Sequence, residues 1–311
     1  MLLAPAALLS LAALGWSDPA GDRLVVSSFR TGELELFAVD TATGDAVNLT
    51  RSPGSIEKYP ACSYDGGRVS FISNREGTDN LYVMRADGSE VRQLTREKPG
   101  INAGMASWTA DGQWLYFGLF GGGPPRMCRI RPDGSDFRVV GEGIDPAVSP
   151  DGTRIAFARQ LGDGHHLFVA KADGSDARQL TKAGNGWAGV HAAWTPDGRR
   201  IVYADRVGEA LELFACEPDS GLIIQLTRLG AAATSPSVSP DGERITFRLC
   251  DEVYWRSGET SRRAYSERRA DKRPVWIMKS DGSEPHLIEV LHYQTTIDGS
   301  RAPFLRTTAG R

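Results

Sequence analysis

Cysteine is scarce and shows no paired spacing. The 311-residue chain has four, Cys62, Cys128, Cys216 and Cys250, with no C-x-x-C among them. That excludes a zinc knuckle and favours single buried thiols over a disulfide framework. Neither sign of charge dominates, since 36 basic residues meet 39 acidic ones for a formal net charge of −3. A general attraction to nucleic acid or to a membrane surface needs a basic excess, so both are set aside. No apolar run is long enough to cross a bilayer; the stretch MLLAPAALLSLAALG covers only residues 1–15. The G-x-S-x-G, H-E-x-x-H and P-loop patterns are missing, so an appended serine hydrolase, a zincin and a P-loop NTPase are excluded. Histidine is also sparse, with five in all. His286, Glu289 and His292 stand three apart, which on a strand puts Glu289 on the face opposite both histidines and argues against a shared metal.

Glycine is plentiful, with 35 residues beside 17 prolines, and much of it falls in a recurring turn. SPDGTRIAF at Ser149–Phe157 recurs as SYDGGRVSF (Ser63–Phe71), TADGQWLYF (Thr109–Phe117), TPDGRRIVY (Thr195–Tyr203) and SPDGERITF (Ser239–Phe247). The copies start 46, 40, 46 and 44 residues apart, a period that marks a repeat architecture. Where Pro stands second it presets φ, and in every copy Asp bonds its own backbone and Gly takes the left-handed position. Apolar residues then alternate, as a strand requires. A second motif follows, as in LYVMRADGSEVRQLT (Leu81–Thr95) and LFVAKADGSDARQLT (Leu167–Thr181), and weaker copies bring it to six occurrences. Each period therefore holds four strands, A to D.

Four-stranded units at this period predict an all-β fold, a six-bladed β-propeller of four-stranded antiparallel blades. The blades are expected at about 18–50, 56–95, 102–140, 144–181, 190–227 and 234–290, within one domain spanning 16–311. Residues 251–273 read as an insertion loop in the last blade. Residues 1–15 fit a secretory signal peptide, with Ala13 and Gly15 as a small-residue cleavage site. If they are removed, blade 1 loses its inner strand, and residues 301–306 are expected to close the ring against Leu24–Phe29.

The S-P-D-G turn, the run SNREGTDNLY at Ser73–Tyr82 and the D-G-S-x-x-R-Q-L-T ending resemble the propeller repeats of TolB-type periplasmic proteins. The resemblance covers roughly residues 17–290. It implies the propeller alone, without the α/β domain that precedes it in TolB proteins proper, and a periplasmic or secreted location.

Both Asp-Gly turns, A–B and C–D, belong on one face of the disc. The irregular B–C and D–A connections belong on the other, the usual layout of a scaffold with one binding face. Counting four back from each Ser or Thr anchor gives Tyr59, Met105, Asp145, His191 and Ser235 around the channel mouth, with Lys58 and Trp187 close by. These residues are the expected binding site for a protein or peptide partner. The leading reading is a non-enzymatic, monomeric binding module or scaffold in the cell envelope, without cofactor, nucleic acid or membrane insertion and with no catalytic residue. The alternative is a carbohydrate-active lyase or hydrolase with a metal- or His-based site at the channel mouth. His165, His166 and His191 are its weak metal candidates, and their convergence on one ion separates the two readings.

Overall fold

The computed structural model describes residues 10–16, 23–28, 31–40, 45–162, 164–182, 191–250 and 275–287. Among them every regular element is a strand. The first sheet holds β1 (Ser10–Trp16), β2 (Arg23–Ser28), β3 (Glu35–Asp40) and β4 (Ala46–Asn48). The second holds β5 (Glu57–Cys62), β6 (Arg68–Ser73), β7 (Asn80–Arg85) and β8 (Arg92–Gln93). Next come β9 (Asn102–Trp108), β10 (Leu115–Phe120), β11 (Arg126–Ile130) and β12 (Arg138–Glu142). The fourth has β13 (Ile144–Val148), β14 (Arg154–Leu161), β15 (Gly164–Lys171) and β16 (Arg178–Gln179). The last sheet has eight strands in two groups. One is β17 (Ala193–Trp194), β18 (Ile201–Val207), β19 (Ala210–Cys216) and β20 (Ile223–Gln225). The other is β21 (Ala232–Val238), β22 (Arg244–Cys250), β23 (Val275–Lys279) and β24 (His286–Leu287). A single parallel pair, Leu211 with Ala232, joins the two groups; every other pairing is antiparallel.

Strands follow one another in order within each group, so the A–B and C–D turns share a side. The two turns also bond to each other: Ala86 N donates to Gly67 O at 3.0 Å, and Ala172 N to Thr153 O at 2.9 Å. The turn chemistry is visible at Ser149. Its hydroxyl donates to Asp151 Oδ1 at 2.5 Å and accepts from Arg154 N at 3.0 Å, while Thr153 N donates to Asp151 Oδ1 at 3.1 Å. The Asp thus satisfies the turn's donors before the strand begins.

The cores lie between consecutive sheets, not within them. Val25 and Leu36 of the first pack with Val69 and Phe71 of the second. Ile72 and Leu81, from the second sheet's other face, meet Trp108 and Phe117. Tyr116 and Met127 then meet Ile155 and Phe157, and the same arrangement continues through the last two groups. Strands apolar on both faces must be covered twice, and stacking the sheets around an axis achieves this. The innermost strands touch in sequence: β1 on β5, β5 on β9, β9 on β13, β13 on β17, β17 on β21, and β21 on β1. The molecule is a β-propeller of four-stranded antiparallel units.

Side chains also clamp neighbouring sheets. Trp108 Nε1 donates to Ala61 O at 3.0 Å and Trp194 Nε1 to Ala147 O at 2.9 Å. An arginine lies on each indole, Arg68 and Arg154, both 4.9 Å from the ring centroid.

Both edges of β2 are taken in this structure. β3 pairs along one, and Ser10–Trp16 along the other through Ser10↔Ser27, Gly15↔Val25 and Trp16↔Leu24. The full chain therefore fills that edge with the N-terminal segment. Residues 301–306, the expected closing strand, and 251–273, the expected insertion loop, lie outside the described residues.

Candidate functional site

The innermost strands are irregular at one recurring place. Their pairing slips between Lys58 and Ala61, between Ile144 and Ala147, and between Thr234 and Ser237. At these bulges Tyr59, Asp145 and Ser235 take φ of 57°, 50° and 52°, and His191, just ahead of β17, takes 58°. Non-glycine residues in the left-handed region are held there by their surroundings at a cost of about 1–3 kcal/mol each. A bulge of this kind re-aims a side chain. Met105, the equivalent residue of β9, keeps a negative φ, since it is not among the positive-φ residues.

Three of these side chains meet across three consecutive units. His191 Nδ1 lies 2.8 Å from Ser235 Oγ, and His191 Nε2 lies 3.4 Å from Asp145 Oδ2. Asp145 and Ser235 are buried. Burial pushes the His191 imidazole below the ordinary histidine range; Asp145 opposes that shift and the Arg248 cation adds to it. A neutral ring has one N–H, and the carboxylate can only accept. The proton therefore sits on Nε2, donated toward Asp145, and Nδ1 accepts the Ser235 hydroxyl.

The row opens into a cavity of about 190 Å³ that runs down the innermost strands. Met105, Asp145, His191 and Ser235 line one level of it; Trp108, Trp194, Pro196 and Pro240 line others.

Chemically, a serine hydroxyl held by a histidine base that an aspartate orients is the arrangement that activates a nucleophile. Acyl transfer also needs donors for the oxyanion, one of which is commonly the backbone N–H after the nucleophile. The residue after Ser235 is Pro236, which has none.

A family profile described as the TolB beta propeller domain matches residues 10–145 and 138–277. The chain belongs to the TolB beta-propeller family. The "Tol-Pal system protein TolB" of Anaeromyxobacter dehalogenans (strain 2CP-C) is 29% identical over 189 residues, covering 53% of this chain and 43% of that protein. The chain thus matches less than half the length of that relative. TolB from Acinetobacter baumannii superposes with a TM-score of 0.63 at 19% identity, covering 89% of this chain and 62% of that one. An oligogalacturonate lyase in complex with manganese superposes with a TM-score of 0.62 at 16% identity, covering 91% and 77%. At such identities the likeness is one of fold.

In this TolB-type propeller the residues expected at the mouth divide. Asp145, His191 and Ser235 converge, and Met105 shares their cavity. Lys58 is engaged elsewhere: its ammonium lies 2.7 Å from Asp79 Oδ2 and 5.5 Å from the Tyr59 ring centroid. Tyr59, partly buried, packs against the core between the second and third sheets. Trp187 lies outside the described residues.

Among the described residues no three His, Cys, Asp or Glu side chains group as a metal site. His165, His166 and His191 are not brought to one point. Adjacent residues on β15 face opposite ways, and His166 is buried in the register of Glu35, Asn80 and Glu212. Those three tie the following connection, for Glu35 accepts Ser52 N at 2.6 Å, Asn80 accepts Glu97 N at 2.7 Å and Glu212 accepts Gly230 N at 2.8 Å. At Glu35, Asn80 and Glu212 the residue ahead of the second motif's Leu-Phe or Leu-Tyr pair carries this architectural role. Arg248, which acts on His191 from β22, is the site-adjacent residue that sequence reasoning missed; nothing in its local pattern sets it apart.

Proposed function

We propose that this protein is a six-bladed, non-enzymatic propeller of the cell envelope, periplasmic or secreted, that binds a protein or peptide at its channel mouth as a monomer. The observation that carries the reading is the Asp145–His191–Ser235 row, strained in backbone, with Ser235 bonded to His191 and Asp145 3.4 Å from it, lining a cavity. The unbroken run of contacts among six innermost strands supports the blade number. Kinship with TolB supports the location and a protein partner. The carbohydrate-active alternative depended on three converging histidines and has no observation of its own.

The test is a pull-down from an envelope fraction with wild type and with the Asp145→Asn/His191→Ala double variant. A central interface residue costs about 2 kcal/mol or more on truncation, so wild type is expected to retain a protein that the double variant loses. Equal retention by both, with the variant folded, would place binding elsewhere.

A further inference from the structure

We propose that the channel is a site for a primary ammonium group, held by Asp145 with Ser235 beside it. The proposal deepens the binding reading above and rests on it. Among the described residues that line the cavity, Asp145 is the one carboxylate, and lysine, arginine and glutamate are not represented. Asp145 brings a negative charge between low-dielectric walls, which favours a cation beside it, and the Arg248 cation acts from the His191 side of the row.

Asp145 is also poorly paired for a buried carboxylate. Its side chain is 9% exposed, and the His191 N–H approaches it at 3.4 Å, well beyond the ~2.7–2.9 Å of a charge-assisted bond. Two other cations or potential cations act here. His165, on β15, and Arg248, on β22, interact electrostatically with Asp145 and His191 respectively. Burial holds both His165 and His191 below the ordinary range, so the imidazoles do not supply a full positive charge at neutral pH. A buried charge is costly until it is paired, and a ligand cation completes the pair.

The polarity of the row narrows the class further. Asp145 only accepts, the His191 N–H is turned toward Asp145, and the Ser235 proton is given to Nδ1 while Oγ keeps acceptor capacity. This level of the channel offers acceptors, so its ligand must donate. An ammonium brings three donors and the matching charge. A divalent cation is a poorer match, because one carboxylate, one imidazole and one hydroxyl make no ligand set grouped around a point. Below the row, Ala147, Val148, Trp108 and Trp194 supply apolar wall, suited to the carbon chain that carries the amine. A peptide α-amine and a lysine side chain share this chemistry.

Three probes separate these sources: trialanine amide, its N-acetyl form, and N-acetyl-lysine methylamide. Each is titrated into the protein while the His191 imidazole is followed by NMR. The expected result is saturable binding of one or both amines and none of acetylated trialanine. Trialanine binding identifies the α-amine, and binding of the lysine probe identifies the side chain. Bound ammonium neutralises Asp145 and adds positive charge, so the His191 midpoint is expected to fall further. Asp145→Asn is expected to weaken binding about tenfold or more, the worth of a hydrogen bond to a charged group. Ser235→Ala should weaken it by a smaller factor. Measurable binding of acetylated trialanine equal to that of the free peptide overturns the proposal even if the variants fail to fold, as does the binding of neither free amine. So does an Asp145→Asn variant that stays folded and keeps its affinity, or tighter binding of a guanidinium probe of equal length. Capture of an envelope protein by wild type and Asp145→Asn alike defeats the ammonium site and leaves the binding reading standing. Amine binding with no captured protein does the reverse.

Discussion

His191 sits between a hydroxyl and a carboxylate, and its burial decides which protonation state the fold prefers. An unfolded histidine titrates near ~6.5, whereas burial holds the folded one lower. Between those two values the unfolded chain binds more protons, so stability rises with pH across that window and is lost as pH falls through it. NMR titration should place the His191 midpoint below ~6.5. In Asp145→Asn it should fall further, because Asp145 is the group that raises it. A midpoint at or above the ordinary value in wild type would contradict the tautomer on which the site depends. The turn aspartates push in the same direction. The hydroxyls of Ser63, Thr109, Ser149 and Ser239 hold Asp65, Asp111, Asp151 and Asp241 below the usual carboxylate range. What they contribute is present above that range and disappears in acid.

The turns are also where neighbouring units lock together. Gly174, at φ 87°, lies so close to the sheet before it that a Cβ would collide with Val140 O. Gly88 stands in the same relation to Leu49 O. Glycine is required here for the backbone angle and for the contact, which is why the second motif keeps Asp-Gly. Gly174→Ala is expected to cost more than the ~1 kcal/mol of backbone strain alone, read as a lower urea midpoint with unchanged slope. A variant as stable as wild type would show that the units are not in contact there. Trp108 tests the same joint from the inner side. It is buried, donates to Ala61 O and carries Arg68 on its ring. Trp108→Ala should remove about 3–5 kcal/mol, and a loss under ~1 kcal/mol would mean the site collapses without cost.

A ring of blades is only as secure as its closure. In the full chain Ser10–Trp16 supplies the strand that touches both β5 and β21. If export removes residues 1–15, that edge of β2 opens, and an open edge invites pairing with another chain. We propose that residues 301–306 then take the vacated edge. A chain of residues 16–311 is expected to unfold cooperatively, and one of residues 16–298 to lose cooperativity or aggregate. Matching behaviour of the two truncations would leave the tail without a part in closure.

Much of this was legible in the sequence because its causes are local. An Asp-Gly turn and an alternation of apolar residues are satisfied within ten residues, so five copies of one motif were enough to specify strands, turns and the propeller. Counting four residues back from each anchor also found Asp145, His191 and Ser235, since equivalent positions in a repeat reach equivalent places. The tertiary structure decided what those residues do. It packed Tyr59 against the core, tied Lys58 to Asp79 and buried His166 in a loop-holding register. It also set Asp145, His191 and Ser235 at left-handed φ without a glycine to announce it. The meeting of Asp145, His191 and Ser235 depends on residues 46 and 44 apart coming together across a curved stack of sheets, whereas Lys58 and Asp79 are 21 apart within one unit. No periodicity within one unit records which faces its neighbours will cover.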